Sequence, residues 1–134
     1  EKEAATCASL AETAMANGKT AVVYTSRTVI DLSDQTPEQL LAISVRISDA
    51  LTSVVSRLAK RPRFLIAKGG ITSSDVGTIA LAVKKARVLG QVQPGIPVWK
   101  IGEESRFPGM SYIIFPGNVG DEDTLRKIVE VLNR

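Results

Sequence analysis

The 134-residue chain has no histidine, one cysteine (Cys7), two methionines and only six aromatic residues. Without histidine there is no Ser-His-Asp or Cys-His catalysis and no His-ligated zinc. One cysteine forms neither an internal disulfide nor a Cys-x-x-Cys site. Nothing indicates an oxidising compartment, so a cytoplasmic setting is expected. No signal-peptide pattern is present, and no apolar run approaches the roughly 18 residues of a membrane span, so no membrane partner is expected. The chain begins Glu1-Lys2-Glu3, without an initiator Met and already in a helical pattern. That predicts a piece of a longer chain, incomplete at its N-terminus.

What is present suits one globular domain: 44% apolar residues and 23% charged. Charge is unevenly placed. Residues 57–87 carry Arg57, Lys60, Arg61, Arg63, Lys68, Lys84, Lys85 and Arg87 against Asp75, a balance of +7 within a net +3. Such a block marks either an anion site or a solvated face of helix ends and loops. Nucleic acid is not the expected partner. The block's one aromatic, Phe64, starts an apolar strand and offers no stacking platform.

Helices and strands alternate. The opening helix has Ala4, Ala5, Leu10, Ala11, Ala14 and Met15 on its apolar side and stops near Asn17-Gly18. Thr20–Tyr24 (TAVVY) reads as a buried strand. Thr36-Pro37-Glu38-Gln39 starts a long amphipathic helix with a capping box, running to about Lys60 through Leu40, Ile43, Ile47, Leu51, Val54 and Leu58. FLIA at 64–67, RVLGQ at 87–91, VWKI at 98–101 and SYIIF at 111–115 read as strands. A helix capped by Thr72 or Ser73 carries the stripe Val76, Ile79, Ala80, Val83. A last helix is capped by Asp121 and uses Leu125, Ile128, Val129 and Leu132. The alternation predicts an α/β fold, a largely parallel or mixed central sheet flanked by helices.

Two segments share one design: FLIAKGGITSSDV and YIIFPGNVGDEDTL, each strand, Gly-rich loop, helix start. Glycine lets backbone approach a phosphate, and a helix start favours negative charge. If the two strands are parallel, both loops lie at the carboxyl edge of the sheet, where open α/β sheets bind ligands. Lys68 and the hydroxyls of Thr72, Ser73 and Ser74 add donors. Taken singly, either loop is also an ordinary turn with a capped helix. Gly18-Lys19-Thr20 is not a P-loop: Thr13 stands where the upstream glycine belongs, and the order is helix then strand. Asp121, Glu122 and Asp123 are placed either to assist Mg2+ or to complement a helix dipole. Arg106 is a candidate phosphate or carboxylate ligand, with an ion pair to Glu103 or Glu104 as the alternative. Trp99 reads as core, with stacking on a ligand base as the alternative. Cys7 reads as a small buried apolar residue. No activated nucleophile or tuned base stands out, so no catalytic residue is assigned.

The motifs AKGGITSSDVGT (67–78), ARVLGQVQPGIPVWKIG (86–102), ESRFPG (104–109) and YIIFPGNVGDEDTL (112–125) resemble the C-terminal part of the four-carbon acid sugar kinases. That family comprises erythronate, threonate and 3-oxo-tetronate kinases. Residues 1–61 resemble it more loosely, through GKTAVVYTSR and the long helix. Many members carry GGETSG and KSGNFG loops; here Ile71 stands at the acidic position and the second loop reads FPGNVG. Both loops work through backbone, so the implied nucleotide role carries over.

The resemblance implies that residues 1–134 are the nucleotide-binding C-terminal domain of a longer sugar-acid kinase. ATP with Mg2+ would be held at Gly69, Gly70, Thr72 and Ser73 and at Gly117, Asn118, Val119 and Gly120. The sugar acid and the catalytic base would belong to a preceding domain of the same chain. Its substrate is a small molecule, and a homo-oligomer is compatible with this reading. The alternative is a non-catalytic small-anion or metabolite sensor domain built on the same two loops.

Overall fold

The computed structural model describes residues 1–28 and 31–134. They form two compact units, Glu1–Lys60 and Arg61–Arg134.

The first unit is helical among its described residues. Helix α1 (Lys2–Ala16) buries Ala4, Ala8 and Ala11. Small side chains on that stripe let helix α2 (Pro37–Ser56) pack against it. Leu10, expected on the apolar side, is 65% exposed, and Cys7 is half-buried. Asn17 caps α1 and Gly18 follows with φ +71°, so Gly18-Lys19 is the helix stop that its spacing predicts. The Thr36 capping box is complete: the Gln39 amide donates to Thr36 Oγ1, and Gln39 Oε1 accepts from the Thr36 amide. Helix α2 ends at Ser56, four residues before the expected Lys60. The last amides of this unit have another acceptor, since Glu12 takes those of Ala59 and Lys60 at 2.6 and 2.9 Å.

The expected strand at Thr20–Tyr24 is absent. The segment is irregular, and Val22 and Tyr24 are 65% and 74% exposed. β-Branched composition favours a strand only where a neighbour supplies the ladder. Among the described residues the first unit has no strand to do so.

The second unit is a four-stranded mixed sheet. Its strands are β1 (Phe64–Lys68), β2 (Ala86–Gln93), β3 (Ile96–Ile101) and β4 (Ser111–Phe115), in spatial order β1-β4-β3-β2. β1 and β4 are parallel, while β3 is antiparallel to both its neighbours. Pro94-Gly95 is thus a hairpin turn between β2 and β3, which is why the sheet is mixed rather than largely parallel. One face buries Ile96, Ile113 and Phe115 against Ile128 of helix α4 (Thr124–Leu132), each at most 1% exposed. Full burial of each such side chain stabilises by about 1.5–3 kcal/mol.

The other face carries helix α3 (Gly70–Asp75), which widens into a π-helical turn over Val76–Ala80. The regular α-helical stripe expected through Val83 therefore stops at Leu81. Leu81 is wholly buried, while Ile79 is 64% exposed. The cause is Tyr112 on β4, whose hydroxyl donates to the Ser73 carbonyl at 2.6 Å. Its ring also lies 3.3 Å from where a Cβ on Gly77 would stand. A bulky residue wedged into the carbonyl ladder is a recognised cause of such widening.

Candidate functional site

The parallel register of β1 and β4 sets Lys68 beside Phe115, so the chain leaves both strands at one edge. The two Gly-rich loops meet there. The Gly69 amide donates to the Phe115 carbonyl at 2.9 Å. A Cβ on Gly117 would stand 3.9 Å from the Gly69 Cα. Gly69 has φ +107° and ψ 146°, a conformation essentially reserved for glycine. It turns the chain sharply from β1 into α3, which leaves the amides of Gly70, Ile71 and Thr72 without partners inside the helix. Nothing lies within 4 Å of a Cβ placed on Gly70. The edge is therefore a backbone-walled notch with donors on one side and an all-glycine approach, a shape that fits an anion chain such as a polyphosphate.

Side chains around the notch divide by role. Gly69 is the residue at the α3 cap; Thr72 and Ser73, expected as caps, lie within the first turn and cap nothing. Ser73 is buried, and its hydroxyl donates to the Ala67 carbonyl at 2.8 Å, so its donor fixes α3 on β1. Thr72 sits near Gly69, its Oγ1 3.7 Å from the position of a Gly69 Cβ. The Lys68 ammonium lies 4.7 Å from the centre of the Phe115 ring, which keeps a positive charge at the strand ends. Asn118 is exposed. The Val119 side chain packs toward the core around Ile113.

Two acids of the run after the second loop, Asp121 and Asp123, have local partners. Asp121, expected to cap α4, lies three residues before the helix, and Asp123 holds the cap position without a capping bond. Asp121 works one step earlier. Its carboxylate accepts from the Thr124 hydroxyl at 2.9 Å and from the Asp123 amide at 3.0 Å. The Thr124 hydroxyl first and the Asp123 amide second hold the Asp121 carboxyl below the usual range. Thr124 Oγ1 in turn accepts from the Asp121 amide. Asp123 pairs with Arg126 at 3.3 Å. Among the described residues no group of three His, Cys, Asp or Glu side chains is placed to hold a metal ion.

Arg106 is not brought to the notch. Its amide donates to the Leu81 carbonyl, at the far end of the helical stretch that Gly69 opens. Eleven helical residues, Gly70 to Ala80, separate the two ends. Its guanidinium lies over the Phe107 ring, 5.4 Å from the centre. Glu104 is a clamp: Oε1 accepts from the amides of Lys84 and Lys85, both at 2.9 Å. Its own amide first, then those two, hold its carboxyl below the usual range.

One feature escapes sequence reasoning. Beside the π-helical turn lies a cleft of about 520 Å3, running from Gly70 along Ser74, Gly77 and Thr78 and across the sheet face to Trp99 and Val88. Trp99 is half-buried in its wall, not sealed in the core. The cleft is lined by the widened helix and the Lys84–Lys85 segment, a placement that no periodicity encodes.

The fold has known counterparts. It matches a Salmonella typhimurium LT2 protein provisionally described as a tRNA synthase, with TM-score 0.62 and 20% identity, over 98% of this chain and 31% of that one. A Haemophilus influenzae DUF1537 protein matches with TM-score 0.60 and 22% identity, over 94% of this chain and 31% of that one. A Bordetella bronchiseptica domain of unknown function, DUF1537, solved with citrate as a domain-swapped dimer, matches with TM-score 0.57 and 16% identity, over 98% and 37%. These likenesses are of fold, and the chain spans about a third of the length of those proteins. No curated protein matches the chain. Among the described residues no helix is long and apolar enough to cross a membrane. A family model described as the nucleotide-binding C-terminal domain matches residues 1–125, and the chain belongs to that family.

Proposed function

We propose that this chain is the ATP-binding part of a kinase that phosphorylates a four-carbon sugar acid of the erythronate, threonate or 3-oxo-tetronate type at its terminal hydroxyl. The single observation that carries the phosphate role is the meeting of Gly69 and Gly117 at the carboxyl edge of the parallel pair β1 and β4. Family membership supports a nucleotide as the ligand. The resemblance of the two loop motifs supports the sugar-acid kinase reading.

In this reading the amides of Gly70, Ile71 and Thr72 face the phosphates from one side, while Gly69, its own amide bonded to Phe115, makes the turn that presents them. Gly117, Asn118, Val119 and Gly120 approach from the other, and the Lys68 ammonium adds positive charge. Positioning and charge neutralisation are most of what a protein contributes to phosphoryl transfer. The terminal hydroxyl oxygen attacks the γ-phosphorus, the bond to the β,γ-bridging oxygen breaks, and ADP leaves. The hydroxyl proton passes to a base in a preceding domain, which also holds the sugar acid. Magnesium bound to the nucleotide would lower the charge on its phosphates.

The test is phosphorus NMR on the full protein carrying this domain, with ATP-Mg and a panel of four-carbon sugar acids. The expected products are ADP and a sugar-acid 4-phosphate. Nucleotide binding without transfer to any such acid would favour the non-catalytic sensor reading.

A further inference from the structure

We propose that the cleft between the π-helical turn and the sheet takes the base and ribose of the nucleotide; this rests on the reading that the two glycine loops hold its phosphates. The cleft begins where the notch ends, since Gly70 belongs to both. Its volume of about 520 Å3 falls within the range of small-molecule sites. Its walls differ in chemistry. Ser74, Gly77 and Thr78 form one side, with hydroxyls and backbone. Val88, Trp99 and Ile114 form the other, and the register sets Trp99 directly across from Val88 and Tyr112. A polar wall facing an aromatic and two aliphatics suits a flat heterocycle with a polar edge.

Two features keep the cleft open. Tyr112 is 1% exposed, and its hydroxyl holds the Ser73 carbonyl, so the helix is widened at Gly77 and cannot settle onto Trp99. On the opposite rim Ala82 adopts φ +53°, unusual for a residue with a Cβ. The segment after it is pinned when Glu104 takes the Lys84 and Lys85 amides. Strained backbone and π turns concentrate at functional sites.

Trp99 is the chain's one tryptophan, so its emission reports on the cleft directly. The experiment titrates ADP and inorganic tripolyphosphate into the chain and into Val88→Glu, with calorimetry and Trp99 fluorescence read together. Val88 is 63% exposed, so the substitution leaves the core untouched. The expected result is that ADP quenches Trp99 saturably while tripolyphosphate binds without altering emission. Val88→Glu should weaken ADP about tenfold, the scale of a lost base contact, and leave tripolyphosphate unchanged. Equal affinity for both ligands, unchanged emission with ADP, or normal ADP binding by Val88→Glu would each overturn the cleft assignment while the phosphate reading stands. Binding of neither ligand would overturn both.

Discussion

The Gly69 amide donates to the Phe115 carbonyl across 2.9 Å, tying the turn after β1 to the last residue of β4. This bond closes the parallel ladder at its last pair, Lys68 and Phe115. It also fixes where the second loop begins relative to the first. Neither loop alone is more than a turn. Their registration makes a notch.

Two glycines of that notch should respond differently to alanine. Gly69 needs φ +107°, so Gly69→Ala should destabilise the fold by about 1–3 kcal/mol. Gly117 shows no such backbone demand, and its added Cβ would meet only ordinary contact at 3.9 Å. Gly117→Ala should shift stability by less than about 0.5 kcal/mol yet narrow the notch and weaken tripolyphosphate binding. Urea unfolding beside calorimetric titration separates the two effects. Equal losses of stability would contradict the assignment of Gly69 as the strained residue.

Tyr112→Phe should cost about 1–2 kcal/mol, because a buried carbonyl on Ser73 loses its phenol donor. Burial pushes the Tyr112 phenol well above its ordinary value, so it remains a donor throughout the neutral range. The substitution should also relax the π-helical turn. Hydrogen exchange at Gly77 to Leu81 would register that as altered protection, and unchanged protection would place the cause of the widening elsewhere.

Acid should loosen the second unit through two carboxylates. Glu104 and Asp121 lie below their ordinary values of 4.5 and 3.8 in the folded chain. Lowered folded-state values mean stability that is full above about pH 4.5 and lost as pH falls through the depressed values. Both groups are exposed, so the effect is modest. Urea midpoints measured from pH 7 to pH 3 should fall less steeply in Glu104→Gln than in the parent chain. An identical slope would show that Glu104 does not act as the clamp on Lys84 and Lys85.

Much of the second unit was legible in its residues. The phrase SYIIF marks β4 to the residue, and the strand–glycine–helix design placed both loops at one edge once β1 and β4 proved parallel. Local rules also read correctly at Thr36, where the capping box depends on residues three apart. What failed depended on partners distant in sequence. Thr20–Tyr24 has strand composition but no neighbouring strand. Ser73 looks like a cap by type, yet its hydroxyl turns inward to Ala67. Arg106, a candidate ligand by its place in a polar loop, has its amide bonded to the Leu81 carbonyl, a partner that spacing in the sequence does not give. The π-helical turn was invisible because its cause, Tyr112, lies on another element.

The central claim is that the paired glycine loops hold nucleotide phosphates. Its most direct test is calorimetric titration of ATP-Mg into the chain and into Gly117→Glu, whose Cβ would stand 3.9 Å from the Gly69 Cα and whose carboxylate adds negative charge at the notch. The expected result is saturable heat for the parent chain and an affinity about tenfold weaker or more for the variant, with circular dichroism unchanged. Equal affinity in the two, or no binding by the parent chain under conditions where it is folded, would contradict it.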